Sequence, residues 1–123
     1  MGTVTFLFTD IESSTRLWDE HPAEMQIAVE RHDAIVREAI ESGGGYVFST
    51  AGDGLAAAFG RAGDALDAAV VAQRRLETEP WPEPVVISVR MGLHTGEAQE
   101  RDGSYFGTAL NRAARIETCG CPA

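Results

Sequence analysis

The sequence predicts an α/β sandwich in which helices cover one mostly antiparallel sheet. Strand-like and helix-like segments follow one another in the order β-α-α-β-β-α-β-α. The two longest helical segments each carry a single apolar stripe, as helices do when they pack against one neighbouring layer. An Asp-Gly pair joins two short apolar runs and indicates a hairpin, whose strands are antiparallel. Together these observations favour a layer of helices on an antiparallel sheet.

The N-terminal part of the chain contains one strand and two helices. Residues 3–9 combine β-branched and aromatic side chains without polar alternation, which predicts a strand buried on both faces. Residues 13–20 predict a short helix. Pro22–Ser42 predicts a long helix that ends at the glycines 43–45. The apolar stripe of this long helix consists of Met25, Val29, His32, Val36 and Ile40.

The rest of the chain alternates strands and helices. Two short apolar runs flank residues 52–54 and predict a hairpin, and residues 61–79 predict a second long helix. Residues 85–96 alternate in polarity and predict a strand, followed by a polar loop at 97–104. Residues 108–118 predict the last helix. The inward face expected for the second long helix consists of Leu66, Ala69, Val70 and Leu76.

The composition bounds the size and the functional class of the chain. Its 123 residues fit a single domain, which we expect to span residues 1–123. The formal net charge of −9 argues against a nucleic-acid partner, because non-specific binding needs a basic surface. No apolar run approaches the roughly 20 residues of a membrane span, so we expect no membrane partner. Two cysteines provide no disulfide framework, which favours the cytoplasm.

Carboxylates and hydroxyls gather where the first strand ends. Asp10 closes that strand, and Asp53 lies in the predicted hairpin turn. If the strand lies beside the hairpin, the two carboxylates meet at one edge and suit Mg²⁺ or Mn²⁺ holding a triphosphate. Ser13, Ser14 and Thr15 begin the next helix and would bind phosphate oxygens. Each aspartate also has a purely structural explanation, as a helix cap or as a turn residue.

A second polar pair lies on the last predicted helix. Asn111 and Arg115 are separated by one helical turn and therefore share a face. An amide and a guanidinium on one face can hold the ribose and the phosphates of a nucleotide. A solvated polar face is the alternative explanation. The opposite, apolar face consists of Ala109, Leu110, Ala113 and Ile116.

Four segments resemble the catalytic domain of the class III adenylate and guanylate cyclases, most closely the bacterial branch. In chain order they are FLFTDIESSTRLW, GGGYVFSTAGDGLAAAF, VRMGLHTGEA and SYFGTALNRAARIE. The resemblance covers residues 3–117, and its specificity comes from the combination, since each motif alone is weak. It implies a ferredoxin-like sandwich of the nucleotide cyclase type and two divalent ions, Mg²⁺ or Mn²⁺.

The resemblance also implies a role for each polar residue. Asp10 and Asp53 match the metal aspartates of the family, and Ile11 would add its backbone carbonyl. Asn111 and Arg115 match the transition-state residues, which act across a head-to-tail dimer, either a homodimer or a heterodimer with another cyclase domain. The implied reaction converts ATP or GTP to the 3′,5′-cyclic nucleotide and pyrophosphate, for signal transduction.

The chain departs from the family pattern in the purine pocket and in its lysines. Ser49 stands where adenylate cyclases of the family have a purine-reading lysine, and Ser104 stands where they have an aspartate. The chain contains no lysine and stops before the C-terminal strand that carries the phosphate-binding lysine of the family. An alternative prediction is therefore a degenerate domain that binds nucleotide weakly or serves as a dimer partner. A structural remnant that associates through its sheet edge is a third.

Two other kinds of phosphate site fit the sequence less well. A P-loop needs a Gly-Lys-Ser/Thr sequence, which a lysine-free chain excludes. A phosphatase of the Asp-x-Asp type needs an aspartate where this chain has Glu12. Of these kinds of phosphate site, the cyclase site is the one that gives a role to the polar motifs described above.

Overall fold

The computed structural model describes residues 2–51, 54–101 and 104–106. Within them the strands form one five-stranded sheet in the order β2-β3-β1-β4-β5. Every described pair of neighbouring strands is antiparallel, which confirms the predicted sheet. The strands are β1 Gly2–Ile11, β2 Tyr46–Ala51, β3 Gly54–Phe59, β4 Val89–Arg101 and β5 Ser104–Phe106.

Three helices complete the described part: α1 Ser14–Glu20, α2 Pro22–Ser42 and α3 Ala62–Thr78. The bounds of α2 are those predicted, because Pro22 suits the first turn of a helix and Gly44 adopts a positive φ of 85° just after its end. The main core cluster joins α2 and α3 to one face of the sheet. None of the helices in the described residues is long and apolar enough to cross a membrane.

Strand β1 lies at the centre of the sheet, between β3 and β4. Its side chains alternate between two cores: Leu7 packs with the helices, whereas Phe6 and Phe8 pack on the opposite face with Ala56 and Ala58 of β3. Residues 5–9 are all buried, as predicted for a strand covered on both faces. By the same alternation Asp10 lies on the face of Phe6 and Phe8, away from the helices.

The predicted inward face of α3 is partly wrong. Ala69 and Leu76 are buried, but Leu66 is 53% exposed and Val70 is 41% exposed. The buried stripe of α3 is mostly alanine, and these small residues pack in the main core cluster. Leu66 and Val70 instead line a groove between α3 and β4. The buried residues of α3 are Ala65, Ala68, Ala69, Ala72 and Leu76.

The polar loop predicted at 97–104 is also wrong. Strand β4 continues to Arg101, and β5 returns along it, with Glu100 opposite Tyr105. Residues such as Glu97 and Gln99 have low strand propensity, but ladder pairing overrides a weak local preference. The Asp-Gly pair at 102–103 is the same hairpin signal that located the β2–β3 turn. It could have predicted this hairpin too.

The predicted helix at 108–118 lies outside the described residues.

His32, on the inner stripe of α2, is packed as expected, with no exposed surface. Its ring Nδ1 lies 2.8 Å from the Asp33 Oδ1 atom.

Two ion pairs link α2 to the α3 side of the helical layer. Arg31 donates two hydrogen bonds to Glu79, from Nε to Oε2 at 3.0 Å and from Nη2 to Oε1 at 3.1 Å. Arg75 donates to Glu38 at 3.0 Å. The hydrogen bond from Arg31 lowers the pKa of Glu79 below its ordinary value. Both groups of that pair are at the surface, where solvent screens their interaction.

We expect the Arg31→Gln substitution to raise the pKa of Glu79 towards its ordinary value, which carboxyl NMR titration would measure. Because the folded-state pKa is lowered, the contribution of the pair to stability is present above the unfolded pKa of Glu79. It is lost as the pH falls through the lowered pKa. An unchanged Glu79 titration in the variant would contradict this assignment.

Two buried threonines on β1 provide a matched test of the core. The Thr5 Oγ1 atom lies 2.7 Å from the Thr95 Oγ1 atom, whereas the Thr9 Oγ1 atom has no hydrogen-bond partner within the described part of the chain. We expect Thr9→Val to raise the free energy of unfolding by about 1 kcal/mol, because it removes a desolvated hydroxyl. Thr5→Val should lower it by about 1 kcal/mol. Urea denaturation would measure both, and equal losses in the two variants would contradict the prediction.

Candidate functional site

Asp10 lies where three strands of the sheet meet at one end. Thr9 pairs with Leu55 of β3, so Asp10 lies level with the start of that strand at Gly54. On its other side Asp10 is the direct partner of Arg90 in β4. Asp53, the second predicted carboxylate, lies outside the described residues, and it immediately precedes Gly54 in the sequence.

Arg90 forms a two-pronged ion pair with Asp10. Its Nε donates to Oδ1 at 2.8 Å and its Nη2 donates to Oδ2 at 2.7 Å. Each side chain keeps 28% of its surface exposed, so the pair is only partly screened by water. Sequence reasoning missed Arg90, because the two residues are 80 positions apart and only the β1–β4 register brings them together. The available signal was the place of Arg90 in the segment VRMGLHTGEA, one of the four that resemble the cyclase family.

Ile11 ends β1 with its side chain in a buried cluster that contains Met25, Val85 and Ile87. A buried aliphatic side chain cannot ligate a cation, so the backbone carbonyl is the group through which Ile11 could act. The next residue is held in place, because the Glu12 N–H donates to the Ser88 carbonyl at 2.8 Å. This bond fixes the path of the chain as it leaves the sheet.

Ser13 connects β1 to α1 in a conformation that favours glycine. Its φ of 57° and ψ of 28° are left-handed, and Ser13 is the only non-glycine residue of the described part with a positive φ. Its carbonyl accepts the Leu17 N–H at 3.0 Å, but its hydroxyl does not cap the helix. Ser14 begins α1 and Thr15 follows it, exposed to solvent. These three predicted phosphate ligands thus lie just beyond Asp10 and Ile11.

The remaining predicted residues are more distant or not described. Ser49 of β2 is exposed and pairs with Ala56, which in turn pairs with Phe8. That register places Ser49 on the same face as Asp10 but about 12 Å away, two strand spacings across and two residues along. Ser104 begins β5 opposite Arg101. Asn111 and Arg115 lie outside the described residues.

The arrangement brings one carboxylate, one backbone carbonyl and three hydroxyl residues to a single end of the sheet. Within the ranges that the structure describes, no three His, Cys, Asp or Glu side chains gather closely enough to hold a metal ion. The donors present are all oxygens, the type that Mg²⁺ and Mn²⁺ prefer.

A comparison with protein families identifies the family of this chain. The family model described as the adenylate and guanylate cyclase catalytic domain matches residues 1–123. The chain belongs to this family. The resemblance of its motifs and the predicted ferredoxin-like cyclase sandwich are both confirmed.

Some relatives of this cyclase domain are much longer proteins. It is 45% identical over 115 residues to an uncharacterised protein of Mycobacterium tuberculosis, covering 94% of this chain and 39% of that protein. It is 33% identical over 140 residues to an adenylate cyclase of Neurospora crassa, covering 94% of this chain and 6% of that enzyme. The cyclase domain therefore corresponds to a minor part of these relatives.

A solved structure supports the same assignment. A crystal structure described as an adenylate/guanylate cyclase/hydrolase from Silicibacter pomeroyi matches with a TM-score of 0.84 at 29% identity, covering 98% of this chain and 72% of that chain. A TM-score this high reflects the same backbone arrangement. The sheet order and helical layer described above are those of a cyclase domain.

We expect Ser13→Gly to raise the free energy of unfolding of the cyclase domain by about 0.5–1 kcal/mol. Glycine relieves the left-handed strain, and the gain is reduced by its greater freedom in the unfolded state. The matched variant Ser14→Gly, at the first position of α1, should lower the free energy of unfolding by up to about 0.5 kcal/mol. Chemical denaturation of both variants would test the assignment, and a destabilised Ser13→Gly would contradict it.

Proposed function

We propose that this cyclase domain converts ATP or GTP to the 3′,5′-cyclic nucleotide and pyrophosphate. The observation that carries the proposal is the position of Asp10 at the end of the buried central strand, level with the start of β3 at Gly54. A partly buried carboxylate at the end of a core strand is costly unless a cation lies beside it. In a member of the cyclase family, a divalent ion would be such a cation.

The oxygen donors at this end of the sheet suit two divalent ions, Mg²⁺ or Mn²⁺. Asp10, Asp53 and the Ile11 carbonyl are hard donors, and Asp10 is accessible enough to exchange its present partner for an ion. When bound, such ions supply Lewis-acid activation of the ribose 3′-oxygen and charge neutralisation of the phosphates. They would also offset the net charge of −9, which otherwise repels a triphosphate.

The residues of the chain itself would bind and orient the nucleotide. Ser13, Ser14 and Thr15 follow the metal residues and offer hydroxyl and backbone N–H groups to the phosphates. Asn111 would orient the ribose, and Arg115 would stabilise negative charge at the α-phosphate. We propose that a partner chain supplies these last two residues across a head-to-tail interface, in a homodimer or with another cyclase domain.

The residues proposed for the purine pocket are compatible with either ATP or GTP as the substrate. Ser49 and Ser104 carry hydroxyls that both donate and accept hydrogen bonds, so neither residue selects adenine or guanine by charge. We infer a pocket with weak base discrimination. Both nucleotides are cytoplasmic metabolites, and we place the activity there.

A second candidate function follows from the same two serines. A domain that has lost its purine readers could bind nucleotide weakly and complete the site of another cyclase domain. Mixing the chain with an intact cyclase domain would test this, because a complementing partner changes the activity of the mixture. No change would exclude the partner role.

We expect cyclic product from ATP, GTP or both with Mn²⁺, at protein concentrations high enough for dimers to form. Asp10→Asn and Asp53→Ala should each lower the rate by at least about 100-fold, since each removes an anionic metal donor. Glu12→Gln is the matched control, because it removes an exposed carboxylate next to the same strand and should retain the rate.

Product formation that survives Asp10→Asn and Asp53→Ala would contradict the proposed site. No product from either nucleotide, with the folded wild-type chain, would contradict turnover by this chain. Quantifying both cyclic nucleotides by mass spectrometry would give the substrate preference directly.

A further inference from the structure

The ion pair between Arg90 and Asp10 occupies the carboxylate that the proposed metal site requires. Both oxygens of Asp10 accept hydrogen bonds from one guanidinium, at 2.8 and 2.7 Å. We infer that Arg90 is the resident counter-cation of Asp10 and competes with the divalent ion for the same carboxylate. This inference rests on the proposed function, and it assigns a role to Arg90, a residue of the segment VRMGLHTGEA that the proposed function leaves without one.

The backbone holds the two partners in place. Asp10 and Arg90 are opposed in the β1–β4 ladder, and the pairs on either side, Thr9 with Met91 and Ile11 with Val89, are formed as well. Neither backbone can move away without breaking the sheet. Exchange of the carboxylate between guanidinium and metal therefore has to occur by rotation of the Arg90 side chain.

Partial burial favours the ion pair between Arg90 and Asp10. Asp10 and Arg90 each expose 28% of their side chains and lie on the face of the sheet that carries the apolar cluster of Phe6 and Phe8. A carboxylate in such surroundings is costly when it has no positive partner. Arg90 neutralises it in the metal-free chain, and the planar fork of arginine matches both oxygens at once.

The consequence is that the ion binds to Asp10 only by displacing an existing partner. The affinity for metal is lowered by the free energy of the guanidinium–carboxylate interaction. Removal of the Arg90 charge should therefore strengthen metal binding and weaken the metal-free fold. If Arg90 had a purely structural role, its removal would weaken the metal-free fold without strengthening metal binding.

A matched control exists in the same chain. Arg31 makes an equivalent two-pronged pair with Glu79, at 3.0 and 3.1 Å, on the helical side of the sheet. Arg31→Gln changes the net charge by the same amount as Arg90→Gln. A general electrostatic effect on metal binding would appear in both variants, whereas competition at Asp10 would appear in Arg90→Gln alone.

The experiment is an Mn²⁺ titration of the full chain without nucleotide, followed by the EPR signal of free Mn²⁺. We expect Arg90→Gln to bind about tenfold more tightly than wild type, equivalent to about 1.4 kcal/mol. Arg31→Gln should match wild type. In an Asp10→Asn background the effect of Arg90→Gln should vanish, because the contested carboxylate is gone. The melting temperature of Arg90→Gln in EDTA should fall below that of wild type.

If Arg90→Gln does not fold, Arg90→Lys takes its place. Its ammonium keeps the charge but cannot engage both oxygens in one fork, so we expect a smaller gain in Mn²⁺ affinity of the same sign. Unchanged or weaker Mn²⁺ binding in the Arg90 variant, with wild-type binding that depends on Asp10, would overturn the inference and leave the proposed function standing. Absence of Mn²⁺ binding in both folded proteins would also overturn the inference, whereas the proposed function is decided separately by product formation, because the triphosphate supplies further metal ligands.

Discussion

The pairing of β1 with β3 on one side and β4 on the other positions everything else in this molecule. A central strand with neighbours on both edges and cores on both faces has no freedom to shift its register, because a one-residue slip would exchange Leu7 with Phe6 or Phe8 between the two cores. The end of β1 is therefore fixed in space. It determines where Asp10, Ile11 and the turn at Ser13 lie.

A carboxylate at the end of a buried strand loses part of its hydration, which is unfavourable for its charge. In this structure Arg90 offsets that cost, because it lies opposite Asp10 and donates hydrogen bonds to both of its oxygens. The same site thus holds a structural ion pair and, under the proposed function, a metal ligand. These two uses compete for one carboxylate, so the stability of the metal-free domain and its affinity for metal are linked.

The helical layer shows how close packing selects residue size. Helix α3 buries alanines, and its larger residues Leu66 and Val70 line the groove towards β4. A stripe drawn from hydrophobicity alone places the largest apolar residues inward, whereas the buried face of α3 consists of four alanines and Leu76. The two ion pairs from Arg31 and Arg75 tie this layer together at its surface.

The antiparallel character of the sheet, the helices α1 and α2 and the end of the apolar run of β1 at Asp10 could be predicted from the sequence, because they depend on local signals. Pro22 and the glycines at 43–45 bound α2, and the apolar run of β1 stops at Asp10. Only the tertiary structure decided that Arg90 faces Asp10, that Leu66 is exposed and that β4 continues into a hairpin with β5. The first two depend on strand register and on helix packing, which connect residues far apart in the chain. The hairpin depends on ladder pairing that overrides the weak strand propensity of its residues, although its Asp-Gly pair is a local signal.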